Sequence, residues 1–220
     1  MNLLERRRAL MARVQSGGRL PEEYQKVEWI GCSGSQKFNS GISTDDSTRV
    51  IFRCKDVNVS IEQSFFGIEL SNPRRVFSFT RIGAGKLRYM YGKYYNANIP
   101  LEELDDKDVT VSTDGRYISF YDNNAKTQNT YYCSASSSGS SETTDGLGVF
   151  GCATGTGAFT RAGFVGKTLN VSAYNNGSKV LDLIPCYRKS DDEPGMYDLV
   201  SGTFFTNAGT GAFTVGPDIN

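Results

Sequence analysis

From Leu20 onward apolar and polar residues alternate with a period of two, and glycine-bearing turns cut the pattern at intervals. No other feature of the sequence narrows the folding choices as much. In the run 48–55, Val50, Phe52 and Cys54 share one face while Arg49 and Arg53 share the other. Val57, Val59 and Ile61 continue the alternation against Asn58, Ser60 and Glu62. Similar runs cover 76–82, 86–91, 108–113, 116–122, 168–174 and 179–187. Gly83-Ala84-Gly85, Thr113-Asp114-Gly115 and Asn175-Asn176-Gly177 separate pairs of these runs, and Asn-Gly and Asp-Gly supply the positive φ of tight hairpins. Hairpins imply antiparallel pairing, and no strand alternates with a long helix as a parallel α/β sheet requires. The pattern predicts an all-β sandwich or barrel over 19–220, with the serine-rich stretch 134–141 as its most mobile loop.

The first eighteen residues belong to a different regime. MNLLERRRALMARV consists of good helix formers, with Leu3, Leu10 and Val14 on one face beside Leu4 and Met11, and Arg6, Arg7 and Arg13 opposite. This predicts a short amphipathic helix joined to the β domain by Ser16-Gly17-Gly18. A helix of this length is marginal alone, so Leu3, Leu4, Leu10, Met11 and Val14 are expected to assemble against a partner or their own domain.

Charge and composition then remove function classes. Lys plus Arg and Asp plus Glu each number 24, so no net charge draws the chain to nucleic acid. Its apolar runs are too short to insert in a membrane, and Arg6, Arg7 and Arg8 interrupt what a signal peptide would need. The five cysteines are widely spaced with no C-x-x-C pair, which reads as buried thiols in a reducing cytosol. With no histidine, Ser-His-Asp and Cys-His chemistry is excluded and the commonest metal ligand is missing.

The opening LPEEYQKVEWIGCSGSQKFNSGI and the closing LIPCYRKSDDEPGMYDLVSGTFFTNAGTGAFTVGP, with Phe66-Gly67 and Gly85-Lys86-Leu87-Arg88-Tyr89 between them, carry a resemblance. They resemble a LamG-like family of phage, prophage and gut-bacterial proteins assigned to the concanavalin A-like lectin/glucanase superfold. The sequence departs from that pattern at Gly31-Cys32 and Lys37-Phe38. The resemblance implies a concanavalin A-like antiparallel jelly-roll sandwich behind the N-terminal helix. It also implies an architectural role for the two signatures, with Arg188, Asp191 and Asp198 tying the last turns.

A retaining glycosidase of that superfold would resemble its relatives by carrying Glu-x-Asp-x-Glu along one strand, and no such run is present. The acidic cluster Glu102, Glu103, Asp105, Asp106 and Asp108 follows Pro100 and reads as a solvated turn. Calcium could use such carboxylates, or Asp45, Asp46, Asp191, Asp192 and Glu193, but no motif specifies it and no cofactor or metal residue is assigned. Gly155-Thr156-Gly157-Ala158-Phe159-Thr160 recurs as Gly209-Thr210-Gly211-Ala212-Phe213-Thr214, which reads as two turns each anchored by a phenylalanine.

No catalytic residue emerges, and the chain reads as one that binds or assembles without catalysis. Candidate sugar-stacking residues are Tyr89, Tyr91, Tyr94 and Tyr95 with Asn96, although tyrosines alternating along a strand also serve cores. Trp29 and the Asn175-Asn176 turn offer the same mixture. The first expectation is a virion structural protein, a fibre, tail or head decoration subunit, bound to other virion proteins and sister copies in a homo-oligomer. The alternative is a lectin-like adhesin at a bacterial cell surface that binds glycans.

Overall fold

The computed structural model describes residues 19–71, 74–83, 85–92, 97–134, 143, 145–156, 158–159 and 162–219. The N-terminal arm with Leu3, Leu4, Leu10, Met11 and Val14 lies outside the described residues, as does 135–141 of the serine-rich stretch. In chain order the strands are β1 (Tyr24–Lys26), β2 (Ile30–Ser33), β3 (Phe38–Asn39), β4 (Arg49–Lys55), β5 (Gln63–Ser71), β6 (Arg74–Ile82), β7 (Lys86–Gly92), β8 (Ala97–Ile99) and β9 (Val109–Asp114). They continue as β10 (Tyr117–Asp122), β11 (Thr127–Tyr132), β12 (Gly148–Val149), β13 (Ala153–Thr154), β14 (Val165–Asn175), β15 (Ser178–Arg188), β16 (Glu193–Asp198), β17 (Thr203–Phe205) and β18 (Thr214–Val215). A short 3₁₀ turn, Leu101–Glu103, precedes β9.

The strands form two sheets, as the period of two predicts. The larger has eleven strands along the path β11-β10-β9-β4-β14-β15-β16-β17, with β1, β2 and β18 joining at its side. The smaller has seven, along β3-β12-β5-β6-β7-β8 with β13 beside β5. Pairing is antiparallel except between β13 and β5. The three hairpin turns appear where the sequence places them. Asn175 faces Ser178 across Asn176 and Gly177, whose φ values are 48° and 76°. Asp114 faces Tyr117 across Gly115, at φ 55°. Ile82 faces Lys86, with Gly85 at φ 71°.

One predicted run is not a strand. After Lys55 the chain turns at Asp56 (φ 52°), and the Asn58 carboxamide oxygen accepts the Ser60 N–H at 3.0 Å, so 57–62 forms a turn and leaves Ile61 40% exposed. The local side-chain hydrogen bond outcompetes the ladder, as asparagine does in Asx turns.

Phenylalanines from both sheets meet in the core. Phe52 of β4 lies 6.1 Å from Phe65 and from Phe66 of β5, and 5.5 Å from Phe164, between ring centroids. A register shift between Ser64 and Phe66 makes this possible. The extra residue of a β-bulge turns Phe65 and Phe66 to the same side, and both are fully buried. All five cysteines are buried, as expected, and burial pushes the Cys186 thiol up to about 12.

The two ends of the chain interlock. β14 and β15 pair next to their hairpin and then part. β2 pairs with β14 over Val165 to Thr168, β1 pairs with β15 over Cys186 to Arg188, and β18 closes on β2. Pairing with β2 is why β14 begins at Val165, before the alternation becomes legible at Thr168. Buried Gln36 accepts the Ser33 N–H and donates to the Ala212 carbonyl, both at 2.8 Å. Asn207 accepts the N–H groups of Lys37 at 3.0 Å and Gly209 at 2.7 Å, and donates to the Gly211 carbonyl at 2.7 Å. Buried Asp198 accepts the N–H groups of Asp182, Val200 and Ser201 at 2.8, 3.1 and 3.0 Å. Arg188 grips Asp191 through two bonds of 2.9 and 2.6 Å. The repeated Gly-Thr-Gly-Ala-Phe-Thr divides in role, because Phe213 enters the core while Phe159 is half-buried with the Lys37 ammonium 5.0 Å from its ring centroid.

Two outcomes follow from this packing. Phe52→Ala should cost about 3–5 kcal/mol of unfolding free energy in urea titration, since its neighbours come from both sheets and collapse poorly into the void. Hydrogen bonds from Arg53 at 3.0 and 2.8 Å hold the Asp108 carboxyl below its usual range. The stability it contributes is therefore present above the unfolded aspartate value of about 4 and is lost as pH falls through the lower folded value. Asp108→Asn should flatten the acid limb of a stability-against-pH curve below about pH 4 while leaving its neutral limb parallel to the parent's.

Candidate functional site on the outer face of the smaller sheet

Strand β7 carries two of the tyrosines the sequence singles out, and the fold turns both inward. Tyr89 is fully buried and donates its hydroxyl hydrogen to the Gly115 carbonyl at 2.7 Å. Tyr91, 7% exposed, donates to the Asp46 carbonyl at 3.0 Å. The core holds both rings, so neither offers a face to a sugar. Tyr94, Tyr95 and Asn96 lie outside the described residues. Trp29 is half-buried beneath the Lys167 ammonium, 4.6 Å from its ring centroid. Asn175 is engaged with Thr48 and the Ser43 carbonyl at 2.8 and 3.0 Å.

The same alternation that buries Tyr89 and Tyr91 sends their neighbours Arg88 and Met90 to the opposite face. Cross-strand register then assembles that face from five strands. Ser64 stands opposite Thr80, Thr80 opposite Arg88, and Arg88 opposite Asn98. One step along, Gly148 stands opposite Gly67, Gly67 opposite Ser78, and Ser78 opposite Met90. Residues directly opposite on antiparallel strands share a face, so these rows lie side by side.

Ser64, Ser78 and Thr80 are fully buried, and their hydroxyl oxygens have no hydrogen-bond partner. Buried hydroxyls are satisfied in the great majority of cases, and leaving one unmet costs about 1–3 kcal/mol. Three such hydroxyls thus line up on one sheet face, beneath covering parts of the chain. Gly67 lets β5 pack closely on β6, because a Cβ there would approach the Ser78 Cβ to 2.3 Å.

A groove of about 280 Å³ lies at the seam of the chain ends, between β2, β14 and Ala212. Its polar groups are already engaged. Lys167 is 2.6 Å from Asp56, and Gln36 is held on both sides as described.

The acidic cluster needs correction at two residues, since Asp108 is half-buried and paired with Arg53. Glu102, Asp105 and Asp106 are exposed, but Glu103 is only 8% exposed and accepts hydrogen bonds from Asn129, at 3.0 Å, and from the Tyr131 hydroxyl. Burial, with Glu103 beside it, pushes the Tyr131 phenol up to about 12. Among the described residues no three His, Cys, Asp or Glu side chains converge as a metal-binding group, and no helix is long and apolar enough to cross a membrane.

No family model matches the chain, and no curated protein does. Among solved structures it is similar to a Scytalido-glutamic peptidase bound to a peptide-based transition state analog. The identity is 12%, covering 79% of this chain and 89% of that one, with a TM-score of 0.33. The reading of the chain as one without catalysis does not stand. Lack of histidine removes only histidine-dependent mechanisms. At this TM-score the likeness assigns no residue and no activity here.

Thr80→Val replaces an unmet buried hydroxyl by a methyl of similar volume. It should raise the urea midpoint by the equivalent of about 1 kcal/mol, where an ordinary buried Thr→Val change lowers it.

Proposed function

We propose that this chain is a carbohydrate-binding sandwich of the concanavalin A-like jelly-roll kind, carried on a phage or prophage particle as a structural subunit. The observation that carries the binding half is the set of unpartnered hydroxyls of Ser64, Ser78 and Thr80 beside Arg88, which lie under covering chain that must part for a ligand to reach them. A sugar presents hydroxyls that both donate and accept, and rotating Ser and Thr hydroxyls can answer either.

The order of the larger sheet supports the jelly-roll reading, since β9, β4 and β14 are neighbours although far apart in sequence. The particle location rests on the resemblance of the two end signatures to prophage-encoded proteins. The N-terminal arm enters this reading through its sequence alone, as the element that would dock the sandwich to other virion proteins.

A glycan array probed with the full chain, with and without calcium, tests the binding half. At least one glycan should be retained, and Thr80→Val or Ser78→Ala should weaken it about tenfold, the loss of roughly one hydrogen bond, without lowering the melting temperature. Absence of any bound glycan under both conditions, or variants that bind as the parent does, would end this reading. Mass spectrometry of particles released from an induced lysogen should find the chain at structural-protein abundance, and its absence from them would remove the particle location.

A further inference from the structure

Strand β11 forms one edge of the larger sheet and is unlike the other edges. It runs for six residues, whereas β17 at the opposite edge has three, and β3 and β8 of the smaller sheet have two and three. Short edges are one way proteins avoid unwanted pairing, and charge is another. β11 reads Thr-Gln-Asn-Thr-Tyr-Tyr, has no charge and no proline, and is exposed at every position but Tyr131. Its last residue, Tyr132, is 49% exposed and lies against Tyr117 of β10, 52% exposed, with ring centroids 5.0 Å apart.

The register decides which backbone groups this edge offers. Cys133 N–H donates to the Arg116 carbonyl at 2.8 Å, which fixes the hydrogen-bonding phase of the β10–β11 ladder. In that phase Thr127, Asn129 and Tyr131 point their N–H and C=O groups at β10. Gln128, Thr130 and Tyr132 point theirs away from the sheet. Asn129 and Tyr131 also bind Glu103 through their side chains, so the strand is held straight from behind.

We propose that two copies of this chain associate by pairing β11 with β11, antiparallel, about a two-fold axis at Thr130. Two conditions select this register. Residues facing each other must share a sheet face, and the outward backbone groups must meet. Placing Thr130 opposite the partner's Thr130, and Gln128 opposite the partner's Tyr132, satisfies both over the whole strand.

The outer face of the joined sheet then reads Tyr117, Tyr132, the partner's Gln128 and the partner's Tyr121, because Tyr121 faces Gln128 and Tyr117 faces Tyr132 within each chain. The exposed tyrosine pair thereby gains cover. No like charges meet, and the contact closes on itself, whereas pairing with β17 would leave half of β11 uncovered and run on as an open filament. This association is independent of the carbohydrate reading.

Sedimentation velocity of the full chain should give the mass of two chains. Thr130→Pro removes an outward N–H and leaves the ladder to β10 intact, so it should sediment as one chain with an unchanged circular dichroism spectrum. Thr130→Cys should form a disulfide-linked dimer under mild oxidation, since the native thiols are buried, and Thr203→Cys on β17 should not. A monomeric parent, a dimeric Thr130→Pro, or equal cross-linking at both cysteine positions would each overturn the proposal.

Discussion

The layer of phenylalanines between the sheets is the constraint on which the rest of the molecule depends. Phe52, Phe65, Phe66, Phe77, Phe79, Phe150 and Phe164 come from both sheets and from the segments that join them, and all are fully buried. Aromatic rings fill volume with few rotatable bonds, so their contacts fix the spacing and relative rotation of the sheets more tightly than aliphatic packing would. The bulge at Ser64 belongs to this layer. By turning two consecutive phenylalanines inward it also turns Ser64 and Gly67 outward, and the packing of the core and the polarity of the opposite face become one event.

A second constraint comes from the chain ends. β1 and β2 occupy the space where β14 and β15 part, and Gln36 and Asn207 lock the neighbouring loops by satisfying backbone groups on both sides. These residues sit in the opening and closing signatures of the sequence. Since Gln36, Asn207, Asp198 and Arg188 are all engaged within the chain, what the signatures encode is closure of the sandwich. Two further surfaces lie beyond the signatures.

Those surfaces are of two chemical kinds. The smaller sheet presents buried hydroxyls that lack partners, a local arrangement that costs stability unless something arrives to meet it. The larger sheet presents an uncharged edge with outward backbone groups and exposed tyrosines, which suits another strand.

Much of this fold was legible in the sequence, because period-two alternation and Asn-Gly or Asp-Gly turns act over a few residues and need no distant partner. They determined the all-β class, the antiparallel hairpins at Gly85, Gly115 and Gly177, the inward face of β4 and the burial of the cysteines. Which face of β7 meets the core was not legible, since Tyr89 and Tyr91 suit a sugar platform as well as a sandwich interior. Only the register of β6 and β7 against the phenylalanine layer decided it, and so turned Arg88 with Ser78 and Thr80 outward. The buried Glu103 and the exposed edge of β11 were hidden for the same reason. Alternation specifies which residues share a side, but which side is covered, and which strand is left without a neighbour, depends on pairings between residues far apart in the chain.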